Sequence, residues 1–129
     1  MGRWETLGAR TEPREISVTE RAVLERLLGG DSADAVRLRR QVTTLMVVGR
    51  CECGCPTVES DTRAASPEAT SRLVGLEGSA PMTPGEPPVE ILVFEVGGLL
   101  SSLELVSYGD ETPPEWPPVE SIGVRTVDR

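Results

Sequence analysis

Val89-Glu-Ile-Leu-Val-Phe-Glu-Val96, Gly97-Gly98 and Leu99-Leu-Ser-Ser-Leu-Glu-Leu-Val-Ser-Tyr108 form the stretch from which the fold is read. Two runs rich in β-formers flank a Gly-Gly pair that tolerates the positive φ of a tight primed turn, the pattern of a β-hairpin. A two-residue turn sets Val96 opposite Leu99, Phe94 opposite Ser101, Leu92 opposite Leu103 and Glu90 opposite Leu105. Side chains alternate between faces, so Leu92, Phe94, Val96, Leu99, Leu103 and Leu105 are expected to face the core. Ile91, Val93, Leu100 and Val106 then share the other face with Glu95, Ser102 and Glu104.

Working outward, Ser17-Val-Thr-Glu20 is a capping box, and Val23, Leu24, Leu27 and Leu28 follow at helical spacing before Gly29-Gly30. This predicts a helix over Val18 to Leu28. Asp31 or Ser32 can cap a second helix, Ala33 to Arg40, that exposes Arg37, Arg39 and Arg40 as a solvated end favourable to the dipole. Thr43 to Arg50 reads as a strand apolar on both parities, and Thr57 to Thr62 can return beside it across the bend at Gly54 and Pro56. Residues 63–88, rich in Pro and Gly, read as a connector holding at most a short edge strand over Arg72 to Glu77. Residues 1–16, with Trp4 their one large anchor, read as a flexible lead-in, and residues 119–129 as a C-terminal tail.

The expected fold class is therefore α+β: two N-terminal helices packed on one face of a four- or five-stranded, mainly antiparallel sheet. A chain of 129 residues suits one domain, here residues 17–118. No apolar run approaches the roughly 20 residues that span a bilayer, and the first residues lack a secretion pattern, so no membrane association and a cytoplasmic location are expected. Three cysteines confined to five positions do not form a disulfide framework, which favours a reducing compartment.

Net charge is −8, unevenly spread: residues 1–50 carry nine Arg against seven acids, and residues 51–129 carry four Arg against fourteen. An acidic second half is unsuited to nucleic acid, whose binding rests on neutralising phosphates, and suits a basic protein partner better. The chain contains no His, Lys or Asn. That excludes Ser-His and Cys-His nucleophile pairs, imidazole metal sites, Schiff bases and phosphate-loop lysines. What chemistry remains belongs to Cys, carboxylates, Arg, Tyr or backbone, and a non-enzymatic role is expected ahead of an enzyme.

Cys51-Glu-Cys-Gly-Cys-Pro56 is the sharpest motif. In an extended strand Cys51 and Cys55 would stand about 13 Å apart, too far to share an ion held about 2.3 Å from each sulfur. A shared metal, with zinc the fitting ion, therefore requires a loop, and a fourth ligand from Glu52, Glu59, Asp61 or water. The plain alternative is that the cysteines fill small core spaces. No cofactor is otherwise expected. A second cluster, Tyr108, Asp110, Glu111, Glu115 and Trp116, could bind a cation or an Arg-rich partner; alternatively, Trp116 folds the Pro-rich tail over the sheet. Glu95 and Glu104, expected on one hairpin face about 13 Å apart, are too distant for paired-carboxylate glycoside chemistry.

The C-x-C-G-C-P turn, together with Leu103-Glu-Leu-Val-Ser-Tyr-Gly-Asp-Glu-Thr-Pro-Pro-Glu-Trp-Pro117, resembles a group of small uncharacterised actinobacterial proteins over about residues 17–118. The resemblance implies a shared fold and a bacterial cytoplasmic setting, and carries over no functional residues. The leading expectation is a protein-interaction module, monomeric or homodimeric, of the immunity-protein or antitoxin kind. The alternative is a metal-binding domain centred on the cysteine turn.

Overall fold

The computed structural model describes residues 8–127. The chain runs β1 (Gly8–Glu15), α1 (Val18–Leu27), α2 (Ala33–Arg39), β2 (Met46–Cys51), β3 (Val58–Ser60), β4 (Ser71–Ala80), β5 (Val89–Val96), β6 (Leu99–Val106) and β7 (Gly123–Thr126). The fold is α+β, with one seven-stranded sheet in the order β1-β2-β3-β6-β5-β4-β7. Every neighbouring pair is antiparallel.

Both helices start where their caps put them. Ser17 Oγ accepts from the Glu20 N–H at 3.1 Å while Ser17 N–H donates to Glu20 Oε1 at 2.9 Å, closing the capping box. Ser32 Oγ accepts from Ala35 N–H at 3.1 Å at the head of α2. The arginines of α2 are only partly a solvated end. Arg40 is exposed, but Arg39 donates to the Leu28 and Gly30 carbonyls, satisfying acceptors that the end of α1 leaves open. Arg37 reaches Asp34, Glu95 and the Gly98 carbonyl at 2.7, 2.9 and 3.1 Å.

The hairpin forms across Gly97 and Gly98, whose φ angles are +55° and +86°, and Val96 pairs with Leu99 as expected. One step further the register departs from expectation. Glu95 pairs with Leu100 but Phe94 with Ser102, so Ser101 is a bulged extra residue in β6. Leu92 consequently pairs with Glu104, not Leu103, and Glu90 with Val106. The expected core face is overturned on β5: Val89, Ile91 and Val93 are buried, while Leu92, Phe94 and Val96 are half-buried. On β6 the bulge returns Leu103 and Leu105 to the core together with Leu100, and only Leu99 is lost from the expected set. It also places Glu95 and Glu104 on opposite faces, so the two do not share one.

The sheet has seven strands rather than four or five. The lead-in contains β1, whose Pro13 sits within a bulge between Arg10 and Arg14 on an edge strand, where its missing N–H is tolerated. Trp4 lies outside the described residues. The connector contains β4, a ten-residue strand between β5 and β7 rather than a short edge strand. The tail contains β7, paired through Leu76↔Thr126 to Ser79↔Gly123. Beneath these strands, Val23, Leu24, Leu27 and Leu28 of the α1 segment and Ala35 and Leu38 of α2 join Ile91, Val93, Leu100, Leu103 and Leu105 in one buried cluster.

Candidate metal centre

The cysteine turn closes the β2–β3 hairpin. Cys51 N–H donates to the Thr57 carbonyl at 3.2 Å, enclosing residues 52–56, and Gly54 takes a φ of +92° that lets the chain reverse. Thr57 is itself buried and its Oγ1 accepts from Leu105 N–H at 2.9 Å, so the base of the loop is tied to β6. Loop geometry removes the strand-spacing obstacle. The three sulfurs lie within 4.8 Å of one another.

All three cysteines are free, Cys53 exposed and Cys51 and Cys55 half-buried, so core filling does not describe them. Cys51 and Cys53 sulfurs are 3.0 Å apart, and Cys53 Sγ accepts from Cys55 N–H at 3.4 Å. Burial, reinforced by the contact with Cys53, pushes the Cys51 thiol up to about 11. Cys53 is shifted the other way, first by the Cys51 thiol and then by the Cys55 N–H, both favouring its thiolate. One sulfur is thus predisposed to carry charge, and the others can follow once a cation replaces their protons.

Of the carboxylates considered for a fourth ligand, none joins the cluster among the described residues. Asp61 accepts from the Arg63 guanidinium on both carboxylate oxygens, at 2.8 to 3.1 Å. Glu59 is buried beside Ser102 on the strand, and Glu52 is exposed in the turn.

The turn and the tryptophan loop converge. Arg14, Arg50, Cys55, Met82, Glu115 and Trp116 line a groove of about 690 Å³. Trp116, read from the sequence either as part of a partner surface or as the ring that folds the Pro-rich tail over the sheet, is only 9% exposed and belongs to the core cluster, which fits the second reading. Tyr108 and Asp110 do not line this groove. Tyr108, 58% exposed, donates to Glu90 Oε1 at 2.7 Å, Asp110 N–H donates to Glu86 at 3.3 Å, and Glu111 accepts from Ser107 through its carbonyl. The five candidate partner residues thus divide between two neighbourhoods. Position in the loop did not reveal the division between them.

No protein-family model, curated protein or solved structure matches the chain. No helix among the described residues is long and apolar enough to cross a membrane. Fold and site together define a small α+β domain bearing a three-cysteine turn whose Cys55 lines the same groove as Trp116.

Proposed function

We propose that the domain binds one zinc ion through Cys51, Cys53 and Cys55, with water in the fourth position. The observation that carries this reading is the gathering of three sulfurs within 4.8 Å on one short loop. Zinc–sulfur bonds of about 2.3 Å in a tetrahedron put sulfurs about 3.8 Å apart, a spacing the turn reaches by small side-chain adjustments. Thiolates suit zinc among abundant cations, and an incomplete protein donor set leaves a position open.

Native mass spectrometry of protein purified without chelator should give one zinc per chain, lost in Cys53→Ser. At a hundredfold excess of zinc over its dissociation constant the metal stabilises by about 2.7 kcal/mol, a rise of roughly 10 °C in melting temperature that chelation reverses. Metal-free protein whose melting ignores both zinc and chelator removes the reading.

A second reading, binding of a basic protein partner, is supported by the exposed Tyr108 ring beside Glu90 and close to Glu86 and Asp110. Its test is the salt dependence of capture by an Arg-rich protein. Tyr108→Ala should weaken that capture, and capture unaffected by both salt and Tyr108 counts against it.

A further inference from the structure

Cys51 and Cys53 have sulfurs 3.0 Å apart, about 1 Å beyond the disulfide bond length of about 2.05 Å. Their surroundings differ. Cys53 is exposed, and its sulfur is held toward the turn by the Cys55 N–H. Cys51 ends β2, pinned by its own N–H to Thr57 and by pairing with Gly8. An oxidant arriving from solvent therefore meets Cys53 first, with a second thiol already placed behind it. We propose that Cys53 is an oxidant-sensitive thiol that closes a disulfide with Cys51, so that hydroperoxides and metal compete for the same sulfurs.

The chemistry balances without another reactant. The Cys53 thiolate attacks a hydroperoxide oxygen: the S–O bond forms, the O–O bond breaks, and the departing alkoxide or hydroxide takes up the proton the thiol released. Cys51 sulfur then attacks the resulting sulfenic acid; the S–S bond forms, the S–O bond breaks, and hydroxide leaves as water with the Cys51 proton. Two thiols lose two electrons and two protons, and the hydroperoxide becomes an alcohol and water. Two equivalents of a small thiol reverse the bond by exchange and leave as their own disulfide. Cys55 remains a thiol throughout. The oxidised turn keeps one of three donors and cannot hold an ion, a consequence that rests on the zinc reading above.

The test takes the full chain, reduced and stripped of metal, treats it with hydrogen peroxide, blocks remaining thiols with N-ethylmaleimide and reads the linkage by peptide fragmentation. Expected is the loss of two hydrogens, a Cys51–Cys53 bridge and alkylation at Cys55 alone. Cys51→Ser should stop at a sulfenic acid on Cys53 that dimedone traps, and Cys55→Ser should still form the bridge. Three alkylatable thiols, or a bridge predominantly to Cys55, overturns the assignment. Zinc added first should slow oxidation, and oxidised protein should take up none; zinc-loaded protein that oxidises as fast as the stripped chain while keeping its metal overturns the competition. Should zinc fail to bind the reduced chain while the bridge still forms, the metal reading falls and the oxidation site stands.

Discussion

Two glycines separate the chemistry of the turn from the packing of the core. Gly54 holds a φ of +92° with open space where a Cβ would stand, so Gly54→Ala strains only the backbone. It should cost about 1–2 kcal/mol in denaturant unfolding and also weaken zinc binding, since the same reversal gathers the sulfurs. Gly78 shows the opposite case: an added Cβ would lie 2.8 Å from Leu27 Cδ2 and 2.9 Å from Ile122 Cγ2. Gly78→Ala should cost about 1–3 kcal/mol by overpacking and leave zinc affinity of the folded protein unchanged. Equal effects of both variants on metal affinity, measured by competition with a chromogenic chelator, would show that the turn is not an independent site. At this scale the sequence was informative about the cysteines: spacing showed that a shared metal needs a loop rather than a strand, and Gly54 with Pro56 permitted that loop. It carried no information on which carboxylates lay near, because Glu59 and Asp61 are placed by pairing with β6 and with Arg63.

Among elements, the hairpin was legible and its register was not. The turn residues fix where the strands meet, but the bulge at Ser101 depends on which side chains the core accepts. Its trace in the sequence is the spacing Leu100, Leu103, Leu105, three then two, which a regular strand cannot place on one face. The α2 region braces the same place. Gln41 Nε2 donates to the Gly98 carbonyl and its Oε1 accepts from Leu100 N–H, both at 2.8 Å. Gln41→Ala leaves the Leu100 N–H without that partner one residue before the bulge, and should destabilise by about 1–2 kcal/mol. Gly98 keeps its bond from Arg37. A variant as stable as wild type in urea unfolding would mean that the two glycines alone hold the register.

Across the whole molecule, the strands missed by sequence are those that acquire their structure from neighbours. β7 is exposed at every position and β1 is polar and interrupted by Pro13, so neither shows the alternation that marks a half-buried strand. Beside its ladder with β2, β1 is fastened by a local ion pair. Arg14 donates two bonds, 2.9 and 2.7 Å, to the Glu20 carboxylate at the head of α1. Burial alone would raise the Glu20 carboxyl, but Arg14 and the Ser17 N–H together outweigh it and hold its pKa below the ordinary value. Asp34 is lowered by Arg37 first and then Arg72, and Asp61 by Arg63. A carboxyl lowered in the folded state contributes stability that is complete above its unfolded pKa and is lost as pH falls through the folded one. Unfolding free energy should therefore be flat from pH 7 to about 5 and decline below about 4. Glu20→Gln removes the charge that β1 is tied to and should cost about 1–3 kcal/mol at pH 7. The gap between its stability and that of wild type should narrow as pH falls below the unfolded glutamate range of about 4.3 toward the lowered folded pKa of Glu20. Curves that run parallel across the whole range would show that the Arg14–Glu20 pair contributes through packing rather than charge, and that β1 is held by its ladder with β2 alone.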